Sequence, residues 1–117
     1  MRGLSRIFLI MKQLEKKFES LGFSFSCIHR EGIYSIYERK QIQSEYKHYE
    51  AIRIQSHNGY EMHGVKYPPS EYYPSANSWG AHGYTCLTKK DAFKRLDKMM
   101  EQDKLNKDKN KKNKTTQ

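Results

Sequence analysis

The chain has 117 residues, a net charge of +9 from 22 Lys+Arg against 13 Asp+Glu, and only 36% hydrophobic residues. That length holds one small core and excludes a barrel or a full dinucleotide-binding sheet. Leu, Ile, Val and Phe total just 21, so the nine Tyr, five Met and single Trp must supply much of the burial, and a thin, amphipathic core is expected.

Taken from the N-terminus, the apolar run Ile7–Met11 follows Arg2 and Arg6. It is too short to cross a bilayer, and no small-residue cleavage site precedes Lys12, Glu15, Lys16 and Lys17, so neither a membrane span nor a secretory leader is expected. Met11 opens as plausible a start as Met1. Leu4, Ile7, Met11, Leu14, Phe18 and Leu21 recur every three or four residues, which predicts an amphipathic helix over 5–21 capped by Gly22.

Alternating stretches at 23–28, 33–37, 49–55 and 60–67 predict strands. Asn58-Gly59 tolerates the positive φ of a two-residue hairpin turn. That turn would set Ile54 opposite His63 and Ile52 opposite Val65, with Arg53, Gln55 and Met62 on the other face. Residues 67–83 hold all three prolines and read as a long irregular connection. Gly80 and Gly83 would free the backbone around Trp79 to pin that loop to the sheet, and Thr85 would resume a short strand.

Thr88 and Asp91 form a capping box for a second helix over 88–101, with Ala92, Phe93, Leu96, Met99 and Met100 as its apolar stripe. Past Gln102 come six Lys, two Asp and one aliphatic residue, too little to offset the entropy of ordering. The expected architecture is α+β: an N-terminal helix, an antiparallel meander of about four strands, a C-terminal helix packed on the sheet, and a disordered basic tail. Residues 1–102 form the single domain and 103–117 the tail.

The tail carries +4 and the body +5, so the excess charge belongs partly to the folded part. Such charge attracts polyanions through Coulomb steering and counterion release, which makes RNA or DNA the first partner to consider. Candidate contacts are Lys89, Lys90 and Lys94 at the second helix, Arg53 on the outer sheet face, and the tail lysines Lys111 and Lys112. The expected function is therefore non-enzymatic nucleic-acid binding. The aromatics of the long connection support two uses. Exposed rings stack on unpaired bases, and Tyr72, Tyr73 and Trp79 would equally anchor a protein interface such as one with a host factor.

No constellation for catalysis stands out, and no cofactor is expected. There is no Gly-x-x-x-x-Gly-Lys phosphate loop and no Gly-x-Ser-x-Gly elbow. Cys27-x-His29, on one strand face, and His82-x3-Cys86 lack the tight paired spacing of structural zinc sites, so no metal is expected. Glu50 with Glu61, and Glu38 with Glu45, read as solvated strand faces. Two cysteines fit a reducing, cytoplasmic setting.

Three resemblances add expectations. Gly32-Ile33-Tyr34 resembles the opening motif of the GIY-YIG nucleases, which would make Tyr34 part of a metal-dependent site; no Tyr-Ile-Gly follows it anywhere in the chain. Thr88-Lys89-Lys90-Asp91-Ala92 opening a last helix looks like a double-stranded-RNA-binding domain, which implies phosphate contacts at Lys89, Lys90 and Lys94; that family has three strands and no counterpart to the long loop. Tyr73-Pro74-Ser75, Ser78-Trp79-Gly80 and His82-Gly83-Tyr84-Thr85, followed by Ala92 and Phe93 in a helix, are similar to small phage and plasmid proteins. That likeness spans about residues 47–101 and implies a mobile-element origin.

Overall fold

The protein is described by a computed structural model covering residues 11–115, with side chains described as far as Lys109. Five antiparallel strands form one sheet: β1 (Lys17–Ser20), β2 (Phe23–Glu31), β3 (Tyr34–Gln41), β4 (Lys47–Arg53) and, after a long excursion, the C-terminal strand of Gly83–Cys86 at the far edge beside β4. The excursion is itself a two-stranded arm. Its base pairs β5 (Gln55–His57) with β8 (Ser70–Tyr72), and its tip pairs β6 (Tyr60–Met62) with β7 (Val65–Tyr67). Gly83–Cys86 is therefore β9, and one helix, α1 (Lys89–Thr115), follows it.

Strand alternation gives the sheet two different faces. Ile36 and Ala51 point to the face covered by Ala92, Leu96 and Met99 of α1, with Tyr34, Tyr49, Tyr84 and Cys86 around them. Tyr37 and Ile52 point to the opposite face, where Phe18, Phe25, Leu14, Tyr73 and Trp79 cover them. The buried centre of the helix face is aliphatic with tyrosines around it, whereas the other face is dominated by aromatic rings, so rings supply much of the burial on both sides.

Thr88 caps α1 as expected, its hydroxyl accepting the Asp91 N–H at 3.1 Å. The N-terminal helix expected over 5–21 is not formed within the described residues. Residues 1–10 lie outside them, and Lys17–Ser20 pairs with β2 instead, setting Phe18 opposite Phe25 with stacked rings 4.7 Å apart. Leu14 and Phe18 reach the core from an extended chain, whereas Leu21 is 96% exposed. Gly22 does supply a positive φ, but for a hairpin: Leu21 (φ 50) and Gly22 (φ 85) are its two central residues.

The hairpin expected at Asn58-Gly59 is also corrected. Asn58 keeps a negative φ, and the chain reverses at His63 (φ 51) and Gly64 (φ 76), so Val65 faces Met62. Ile52 lies between Ser35 and Gly83, and the Ile54 N–H donates to the Ile33 carbonyl at 2.6 Å. The physical reason is burial. His63 and Val65 offer Ile52 and Ile54 little cover, whereas Tyr73 and Trp79 enclose them.

The expected disordered tail is a helix through Thr115. Asp103 carries it past the predicted end, because its carboxylate accepts from Arg53 Nε (2.7 Å), Arg53 Nη2 (2.8 Å) and the Tyr34 hydroxyl (2.5 Å). Lys111 and Lys112 therefore sit on helical backbone.

Candidate functional site

The side of α1 that faces β9 carries an open cationic cleft. Ala92, Leu96 and Met99 fix the rotation of the helix by burying into the sheet, and that phase turns Lys94, Arg95 and Lys98 toward the β9 edge. Arg95 lies over Tyr84, its Cζ 4.5 Å from the ring centre, and Tyr84 is held by its hydroxyl bond to the Gly80 carbonyl at 2.7 Å. A guanidinium held by a ring face keeps N–H donors for other partners. Two adjoining hollows of about 410 and 390 Å³ share Arg95 and Lys98. The first also contains Arg53, Tyr84 and Glu101, the second Lys94, Thr85 and Asp91.

Charge is distributed unevenly. Arg30 is held by Glu71, Arg39 by Glu50, Arg53 by Asp103 and Lys47 by Glu38. Among the described residues, no carboxylate lies within 4.0 Å of Lys94, Arg95 or Lys98. Helix α1 holds eleven basic against five acidic residues, two thirds of the net charge.

Of the contacts expected from sequence, Lys94 lines the cleft, while Lys89 and Lys90 are exposed on the first helical turn and line neither hollow. Arg53 lies in the cleft floor, not on an open sheet face, and is neutralised by Asp103. Its hydrogen bonds hold the Asp103 carboxyl below the usual range, with the Tyr34 hydroxyl adding to the effect. Arg95 and Lys98, which line both hollows, are not among the contacts expected from sequence; their one signal is the four-residue spacing from Lys94 to Lys98, readable once the helix start is fixed.

The opposite face of β9 holds a second recess, of about 420 Å³, lined by Phe25, Tyr73, Trp79 and Ala76 with Arg39, Glu50 and Thr85. Glu50 is 3% exposed, so it is not on the solvated face expected. Its carboxylate accepts from the Tyr73 hydroxyl (2.5 Å) and the Thr85 hydroxyl (3.3 Å) and pairs with Arg39 (3.3 Å). Burial and the Glu50 charge push the Tyr73 phenol far up. Trp79 lies over Gly83, and its indole N–H donates to Thr85 at 2.9 Å.

Tyr72, Tyr73 and Trp79 therefore do not form one exposed anchor. Tyr73 is enclosed by Phe18, Phe25 and Tyr37, Trp79 is half-buried, and Tyr72 alone is exposed, on the other side of the chain. Exposed rings that cluster do so on the arm, where Tyr60 stacks on Tyr67 at 4.8 Å and shares a face with Met62 and Val65, whereas Tyr46 and Phe93 are exposed elsewhere.

No group of three His, Cys, Asp or Glu side chains is placed to hold an ion among the described residues. A β-bulge between Cys27 and His29 sends Cys27 toward Tyr37 and His29 toward Phe93, so they do not share a face as expected. Tyr34 is bonded to Asp103. No helix among the described residues is long and apolar enough to cross a membrane. No protein-family model, curated protein or solved structure matches the chain.

Proposed function

We propose that the protein binds nucleic acid, without catalysing a reaction, through the cleft formed by Lys94, Arg95 and Lys98 against β9. The observation that carries this reading is the convergence on one cleft beside a sheet edge of three cations without carboxylate partners among the described residues, when Lys12, Arg30, Arg39, Lys47 and Arg53 each have a carboxylate within 4.0 Å. Phosphates supply the missing counter-charge, and the lysines of the outer helix add affinity that is indifferent to sequence.

The test is a salt titration with a labelled oligonucleotide. Binding weakens steeply between low and moderate salt, and changing Lys94, Arg95 and Lys98 together to Gln lowers the slope of log affinity against log salt by roughly 2 to 3. No binding at low salt, or an unaltered slope in the triple variant, overturns the reading.

A second reading, a protein-interaction module, is favoured by the arm, whose face of Tyr60, Met62, Val65 and Tyr67 is open to solvent. An aromatic-centred interface would persist in high salt and fail in Tyr60→Ser/Tyr67→Ser.

A further inference from the structure

We propose that the nucleic acid taken by this cleft is single-stranded, and that one unpaired base enters the recess of Phe25, Tyr73 and Trp79. The inference rests on the reading above and concerns the other face of the same strand.

Strand β9 is the last in the sheet, and only its own width separates the two hollows. Alternation directs Tyr84 and Cys86 to the helix side and Thr85 to the recess side, yet Thr85 lines both the cationic hollow and the recess. A chain whose phosphates rest on Lys94, Arg95 and Lys98 thus passes the β9 edge with the recess one strand away. Its volume of about 420 Å³ falls within the range of small-ligand sites, about 300–1,000 Å³.

The lining selects the kind of group. Tyr73 and Trp79 stack on each other, 24° apart with ring centres 6.3 Å apart, and Phe25 meets Tyr73 edge to face, so the recess presents an aromatic wall against which a flat, polarisable ring is favoured. A cationic ligand has nothing to gain, because the Glu50 carboxylate already takes Tyr73, Thr85 and Arg39. A phosphate finds no unshared cation there either, because Arg39 is already paired with Glu50. Arg39 lies over Phe23, 4.7 Å from its ring centre, and spends one nitrogen on Glu50. Arg39 Nε is buried without a hydrogen-bond partner among the described residues and the side chain is 26% exposed, so the guanidinium keeps donor capacity for a carbonyl or ring-nitrogen acceptor. A neutral planar group with acceptors on its rim is a nucleobase, and its faces are free only when it is unpaired and unstacked.

Trp79 is the only tryptophan, so its emission reports this recess alone. The full chain is titrated at low salt with a single-stranded oligonucleotide, the duplex of the same length, and inorganic polyphosphate. The single strand should bind at least tenfold tighter than the duplex and quench Trp79, while polyphosphate binds without quenching. Ala76→Leu, at the exposed mouth of the recess, should bring single-strand affinity down toward the duplex value. Phe25→Ala should lower it about 5- to 100-fold.

Equal binding of single and double strands with no change in Trp79 emission would overturn the base pocket and leave the cationic cleft standing. Retained single-strand preference in Ala76→Leu would also overturn it. Failure of every polyanion to bind would overturn the cleft itself and the pocket with it.

Discussion

The Tyr73 hydroxyl donates to Glu50 Oε1 at 2.5 Å and so ties the long excursion between β4 and β9 to the middle of the sheet. A carboxylate this enclosed persists only while its oxygens are satisfied. Tyr73→Phe keeps the ring among Phe18, Phe25 and Tyr37 but removes the closest donor, leaving Thr85 and Arg39 at 3.3 Å. The variant should lose about 1–3 kcal/mol in urea denaturation. Tyr72→Phe, on the exposed side, should stay within about 0.5 kcal/mol of the parent.

Gly83 is the floor on which Trp79 lies. A Cβ there would sit 2.3 Å from Cζ3 of the indole, well inside van der Waals contact. Gly83→Ala therefore expels the ring, breaks its bond to Thr85 and opens the aromatic face to water. A red-shifted emission and a loss of about 1–3 kcal/mol are expected. Thr85→Val removes the bond but leaves the floor clear, so its emission should shift much less.

Leu21 occupies a position its side chain does not favour. A positive φ of 50° on a non-glycine residue costs about 1–2 kcal/mol, and the side chain recovers none of it by burial. Leu21→Asn or Leu21→Gly should raise the thermal midpoint, by about 1 kcal/mol of added stability. A destabilised Asn variant would mean that Leu21 is held by contacts this geometry does not contain.

These residues also mark how far the sequence could be read. Thr88 and the stripe from Ala92 to Met99 are local signals, and the helix starts where they place it. Gly22 signals a positive φ correctly, but that requirement is common to a helix C-cap and a hairpin. The spacing of Leu14, Phe18 and Leu21 fits a helix, yet the chain forms the hairpin, where Phe18 pairs with Phe25. Ile52 and Ile54 needed cover that no local pattern names; it comes from Tyr73 and Trp79, far along the chain. The site divides along the same line. Lys94 is visible from composition and helix position. The Glu50–Arg39–Thr85 cluster exists only through the register of three strands, and sequence spacing carries no trace of it.

Asp103 gives the clearest dependence on pH. Its folded carboxyl is depressed below the ordinary value of 3.8, first by the Arg53 bonds and then by Tyr34, with burial opposing. The stabilisation is therefore complete above that ordinary value and is lost as pH falls through the lower, folded one. As pH falls below that ordinary value and through the depressed folded one, the outer part of α1 should loosen from the sheet, read as faster amide exchange beyond Met99 while Ala92–Leu96 remain protected. Asp103→Asn should show this exchange at neutral pH and lack the acid step there. It should cost about 1–2 kcal/mol, since it leaves the Arg53 guanidinium, 15% exposed, without its counter-charge. Exchange beyond Met99 that is identical in both proteins at pH 7 would mean that the helix, not the Arg53 contact, holds its own outer turns.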